Sequence, residues 1–126
     1  MNGLPDNVHR FIHQHVASVE QLEVLLLARR SPGQSWSAED MARELYSHPT
    51  SIAGRFQALL GAGLLRETGP GYFQYAPRTK ELDATVSRLE DMYRERRVAV
   101  IAAIASKAVE NMRAFSDAFR IRKKED

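Results

Sequence analysis

Ser37-Ala38-Glu39-Asp40-Met41-Ala42-Arg43-Glu44-Leu45, Ser47-His48-Pro49, Ser51-Ile52-Ala53-Gly54-Arg55-Phe56-Gln57-Ala58-Leu59 and Gly63-Leu64-Leu65 together decide the fold. Ser37 is a helix N-cap, and Glu39 and Asp40 follow in the first turn, where the helix dipole favours carboxylates. Met41, Ala42 and Leu45 give this helix an apolar face, and Trp36, just before the cap, is positioned to staple onto Met41. Ser47-His48-Pro49 ends it. Pro49 suits the first turn of the next helix, where its missing N–H costs nothing. That helix is predicted over 49–62, with Ile52, Phe56, Leu59 and Leu60 inward and Gly63 as its C-cap. Residues 64–68 read as a strand, Gly69-Pro70-Gly71 as a tight turn and 72–76 as the returning strand. Phe73 and Tyr75 share one face of this hairpin, and Tyr72 and Gln74 the other.

Working outward, Ser18 and Gln21 form a capping box of the S-x-x-Q kind, which starts another helix. Leu22, Val24, Leu25, Leu26, Leu27 and Ala28 make this helix apolar almost all round, so it is expected at the centre of the core. Residues 29–35, with Ser31-Pro32-Gly33, read as a loop. Before it, Pro5 and Asp6 open a short helix carrying Val8, Phe11, Ile12, His15 and Val16, ending near Ala17. After Pro77 a long helix starts near Thr79 with Leu82, Val86, Leu89 and Tyr93 at helical spacing. Its stripe is interrupted by Arg94-Glu95-Arg96-Arg97 and resumes from Val98 to Ala105. Met112, Phe115 and Phe119, with Arg113, Arg120 and Arg122, predict a short final amphipathic helix. The expected divisions are an N-terminal helix over 1–17, a central domain over 18–77, and a helical extension over 78–126 for dimerisation or docking.

The fold class is mainly α: a winged helix-turn-helix, with a three-helix core, a two-stranded β-hairpin wing, an extra N-terminal helix and a long C-terminal helix. The segments Ser37 to Leu45, Ser51 to Leu59 and Gly63-Leu64-Leu65 resemble the MarR- and PadR-like bacterial transcriptional regulators over roughly half the chain, through a short helix, a recognition helix ending in a Gly-Leu pair, and a wing. The resemblance implies a DNA-binding transcriptional regulator. Its recognition helix would enter the major groove of double-stranded DNA, its wing would lie on the adjacent backbone or minor groove, and its terminal helices would form a homodimer. It also implies recognition-helix contacts from Thr50, Ser51, Gly54, Arg55 and Gln57, and wing contacts from Arg66, the Gly69-Pro70-Gly71 turn and Tyr72.

The residues themselves qualify that reading. With Ile52, Phe56, Leu59 and Leu60 inward, the opposite face carries Thr50, Gly54, Gln57, Ala58 and Gly61. Only Gln57 among these can make the bidentate contact to adenine. Arg55 lies on the flank, nearer a phosphate than a base, and Ser51 can bond a phosphate oxygen. The Gly-Pro-Gly wing tip has no Arg or Lys. Gly54, Ala58 and Gly61 form a bare stripe that lets another backbone approach closely, of DNA or of a partner helix. A winged helix used for protein interaction without direct DNA binding is therefore the alternative.

Charge sharpens the choice. The formal net charge is +2, yet residues 18–77 hold five arginines against six carboxylates, a balance of −1, whereas residues from Arg78 onward hold twelve cations against nine anions. Phosphate neutralisation supplies most non-specific DNA affinity, so a near-neutral central domain favours the protein-docking alternative. The Arg94–Arg97 cluster reads as a solvated stretch, with Glu90 and Arg94 paired at i, i+4, or as a segment along a phosphate backbone.

Hydrophobic residues make up 44% of the sequence and charged residues 27%, enough for a packed core. With no cysteine, disulfides and thiol catalysis are excluded, and a zinc site would need His and carboxylates. His9 and His13 have metal-binding spacing, but no third ligand is evident, so they read as facing solvent or a partner. Paired acids such as Glu39-Asp40 and Glu90-Asp91 read as helix-start and solvated residues, and no catalytic triad or phosphate loop stands out. No enzyme activity, metal or cofactor is expected. No signal peptide is visible, and the longest apolar stretch is too short to span a bilayer, so a cytoplasmic protein without membrane contact is expected. The Val98–Ala105 run is too continuous for a helix with an exposed side. It either packs beneath the first helices or, as the favoured reading, forms a dimer contact through Val98, Ile101 and Ala105. The segment from Phe115 to Lys124 reads as docking onto its own domain or a second subunit in preference to a membrane surface.

Overall fold

The computed structural model describes the backbone of residues 3–125 and the side chains of residues 3–118. Its elements run α1 (Asp6–His15), α2 (Val19–Arg30), α3 (Ala38–Leu45), α4 (Pro49–Gly61), β1 (Leu65–Gly69), β2 (Tyr72–Tyr75), α5 (Lys80–Glu95) and α6 (Arg97–Glu125). The two strands pair antiparallel, Leu65 opposite Tyr75 and Glu67 opposite Phe73, with a bulge at Thr68 between Glu67 and Gly69. This is the expected mainly helical winged helix-turn-helix.

Local chemistry sets the element ends. Ser18, Ser37 and Thr79 each accept a backbone N–H through the side chain, from Gln21, Asp40 and Leu82 respectively, and so cap α2, α3 and α5. The Gln21 side chain does not make the return bond of the expected capping box; its amide instead donates to the carbonyl of His15, 2.5 Å away, and so ties the end of α1 to the start of α2. At the end of α4, Gly63 (φ +77°) lets its own N–H reach Leu60 O at 3.1 Å and the Leu64 N–H reach Leu59 O at 3.0 Å. These two bonds are the Schellman pattern, which a glycine in the left-handed region permits.

One hydrophobic core joins the winged helix to the terminal helices. Leu22, Leu25 and Leu26 of α2, Met41 of α3, Ile52, Phe56 and Leu59 of α4 and Phe73 of β2 are buried with Val8 and Ile12 of α1, Val86 and Leu89 of α5 and Val100 of α6. Phe56 and Phe73 lie with ring centroids 4.8 Å apart, which sets the hairpin against α4. Trp36 is buried as expected and also forms an isolated antiparallel β-bridge with Phe73, through backbone bonds of 2.7 and 2.9 Å. The wing is therefore anchored at its base by the segment preceding α3.

The C-terminal third differs from the sequence reading. Instead of one long helix interrupted by a charged stretch, the chain breaks at Arg96 (φ −134°, ψ 52°), and α6 then runs unbroken through the segment expected to be a separate short helix. The Arg94–Arg97 cluster is thus the α5–α6 junction. Arg94 bonds Asp91 at 2.8 Å, not Glu90, because Glu90 faces α2, where it meets Arg29 at 2.7 Å and Arg30 at 3.2 Å. Arg97 stacks over the Tyr93 ring at 4.2 Å, and the Tyr93 hydroxyl donates to Glu23 of α2 at 2.7 Å. Tyr75 at the end of the wing donates to Asp83 of α5 at 2.6 Å. These bonds key α5 to both α2 and the wing.

The Val98–Ala105 run has two faces, where the sequence reading weighed one against the other. Val100, Ala103 and Ile104 are buried against the chain's own core, while Val98, Ile101 and Ala105 point outward. Residues 108–118 of α6 are all exposed, so the described part of the Phe115–Lys124 segment stands off its own domain. The side chains from Phe119 onward, including Arg120 and Arg122, lie outside the described residues.

Candidate nucleic-acid interface

Helix α4 lies across α2, with its inner residues in the core and its outer face open. Thr50, Gly54 and Gln57 are exposed on that outer face. A Cβ built at Gly54 or Gly61 would meet no atom within 4 Å, so neither glycine is needed for close packing inside the molecule. The bare stripe is a feature of the outer surface alone.

The inner flank is organised by a residue that sequence reasoning did not single out. Glu20, in the first turn of α2, accepts hydrogen bonds from the hydroxyls of Ser47 and Ser51 and from Arg55 Nε at 2.9 Å. One carboxylate thus gathers the turn before α4, its first turn and its second. The two serine hydroxyls and the Arg55 guanidinium hold the Glu20 carboxyl below its ordinary pKa, against a smaller opposing effect of burial. Ser51 and Arg55, both expected among the DNA contacts, are therefore drawn inward, and Thr50, Gly54 and Gln57 are left as the open set. In the sequence, Glu20 looks like an ordinary first-turn acid favoured by the helix dipole, and only the α2–α4 crossing reveals its partners.

On the wing, Arg66 is exposed but forks onto Gln74 Oε1 through Nε at 3.2 Å and a terminal nitrogen at 2.8 Å. Glu67 accepts the Gly71 N–H at 3.1 Å and so closes the tip, which carries no cation. Tyr72 is 46% exposed beside it. Arg66 and Tyr72 are thus both exposed on the wing.

Away from this face, His9 and His13 line a groove with Asp6, Arg10, Gln14 and Glu110. Asp6 lies on α1 with the histidines, and Glu110 joins them because α6 crosses α1, which the linear spacing does not reveal. Among the described residues no group of three or more potential ligands is arranged to hold a metal ion. Among the described residues, too, no helix is long and apolar enough to cross a membrane.

No family model matches the chain, and no curated protein matches it. Among solved structures, it is similar to the multiple antibiotic-resistance repressor (MarR) from Listeria monocytogenes 4b F2365, with a TM-score of 0.51 and 17% sequence identity over 94% of this chain and 78% of that one. The chain has a MarR-like winged-helix fold. Because the match spans nearly the whole chain, the shared architecture includes the terminal helices as well as the helix-turn-helix and wing. At this identity the likeness is one of architecture.

Proposed function

We propose that this protein is a cytoplasmic transcription regulator that binds double-stranded DNA through α4 and the β1–β2 wing and acts as a homodimer. The observation that carries this reading is the open outer face of α4, with Thr50, Gly54 and Gln57 clear of the core, together with an exposed Arg66 and Tyr72 on the wing. Gln57 is the base reader, since its amide can donate to N7 and accept from N6 of one adenine. The glycine stripe lets the α4 backbone sit deep in the groove. Arg66 is the wing's phosphate contact, and it must trade Gln74 for a phosphate oxygen. Arg55 and Ser51 support the face by fixing α4 on α2.

Dimerisation is supported by α6. Val98 is 82% exposed, Met112 71% and Phe115 74%, and with Ile101, Ala105 and Val109 they follow one helical stripe. A stripe of large apolar side chains left in water along a helix calls for a partner surface. A second copy supplies one with the same stripe. No enzymatic role is proposed.

A gel mobility shift with genomic fragments at low and rising salt tests the function, using wild type and Gln57→Ala. Wild type should bind, weaken steeply with salt, and lose sequence preference on Gln57→Ala. No shift at low salt would overturn it.

The near-neutral charge of residues 18–77, together with the pairing of Arg55 to Glu20, favours a second reading as a protein-docking winged helix. A pull-down with and without nuclease separates the two, because only the DNA reading loses its partners on digestion.

A further inference from the structure

Among the described residues, Tyr46 alone outside the glycines has a positive φ (φ 54°, ψ 48°). It ends α3 and forms the turn of the helix-turn-helix. This left-handed conformation is open to glycine and disfavoured for residues with a Cβ. The turn lets the Ser47 N–H reach Ala42 O at 2.9 Å and so closes α3, a bond glycine would permit equally, while the Tyr46 side chain itself neither packs nor hydrogen-bonds. The ring is 97% exposed, and its hydroxyl has no bonding partner among the described residues. A glycine would serve the turn better, so whatever Tyr46 contributes lies outside the folded chain.

Its surroundings say where. Ser47, the next residue, is bonded to Glu20, which fixes the turn and holds Tyr46 outward. Pro49 begins α4 two residues further on, so the phenol stands at the leading edge of the helix proposed to enter the groove. Glu20 and Glu23 line a shallow groove beside it, but Glu20 is matched by Arg55 at 2.9 Å and Glu23 lies 3.6 Å from Arg97. Tyr46-Ser47-His48 carries no Lys or Arg, and a contact through Tyr46 is an uncharged one. A tyrosine can make one by donating its O–H to a phosphate oxygen while the ring packs on the sugar.

We infer that Tyr46 contacts the sugar–phosphate backbone flanking the groove occupied by α4; the inference rests on the DNA-binding reading. The test compares wild type, Tyr46→Gly and Tyr46→Phe by thermal unfolding and by DNA titration at several salt concentrations. Tyr46→Gly should raise the unfolding midpoint, because the strained residue is gone, yet weaken DNA binding by about three- to tenfold, the size of one lost hydrogen bond and its packing. The salt slope should not change, because no charge is removed. Tyr46→Phe should keep the wild-type midpoint and lose part of the affinity. Wild-type affinity in Tyr46→Gly, or a lowered midpoint, would overturn the role of Tyr46 and leave the DNA reading standing. Absence of DNA binding by wild type would overturn both.

Discussion

Replacing Glu20 by alanine removes the shared acceptor of Ser47, Ser51 and Arg55 in one step. Hydrogen bonds to a charged group are worth about 1.5–3 kcal/mol each when buried. The Glu20 side chain here is 25% exposed and that of Arg55 31%, so water and salt reduce each contact toward the 0–1 kcal/mol of surface pairs. The freed serines also recover part of their hydration. Glu20→Ala should therefore cost about 1–2 kcal/mol, and Glu20→Gln, which keeps an acceptor but loses the charge, about half of that. The assay is urea unfolding at pH 7 and fixed protein concentration, since association would shift the midpoint. A double-mutant cycle with Arg55→Ala should return about 0.5–1 kcal/mol of coupling. The pH dependence carries a sign. Because the folded state holds the Glu20 carboxyl below its ordinary value, its contribution is full above that value, about 4.3, and is lost as pH falls through the lowered one. In Glu20→Gln that part of the acid destabilisation should be missing. A Glu20→Ala protein within about 0.3 kcal/mol of wild type, with no coupling to Arg55, would refute the idea that this carboxylate fixes α4.

Gly63→Ala should destabilise by about 1–2 kcal/mol in the same unfolding assay, because the residue sits at φ +77° and its Cβ would press on Arg78 Nε at 3.0 Å. Met112→Glu, on the free stretch of α6, should leave the unfolding of the monomer nearly unchanged while shifting the species seen by light scattering from dimer toward monomer. A wild type that is monomeric at high concentration would remove the dimer from the proposal.

The sequence made the winged helix legible because its signals are local. Ser18, Ser37 and Thr79 cap helices from their own positions, Pro49 and Gly63 bound α4, and the turn at Gly69-Pro70-Gly71 separates the strands. Inward residues such as Ile52, Phe56 and Leu59 follow from period alone. What was not legible depends on elements crossing in space. Glu20 meets Ser47, Ser51 and Arg55 only because α2 crosses α4, and Glu90 turns to Arg29 and Arg30 rather than Arg94 because α5 packs on α2. The break at Arg96 had no proline or glycine to mark it. The pairing of Trp36 with Phe73 likewise depends on a chain reversal that no short motif encodes. Tyr46 had a weak signal, a large aromatic in the helix-turn-helix turn, but its left-handed backbone and full exposure are properties of the folded molecule.

Selection from a random pool of DNA duplexes, followed by footprinting of the enriched sequences, tests the proposed DNA-binding homodimer most directly. The expected result is a two-fold-related site, its halves centred about 10 base pairs or a multiple apart. Preference at the adenine positions should be lost when selection is repeated with Gln57→Ala. A pool that stays unenriched at low salt, or enriched sites indifferent to both Gln57 and the wing residue Arg66, would contradict it.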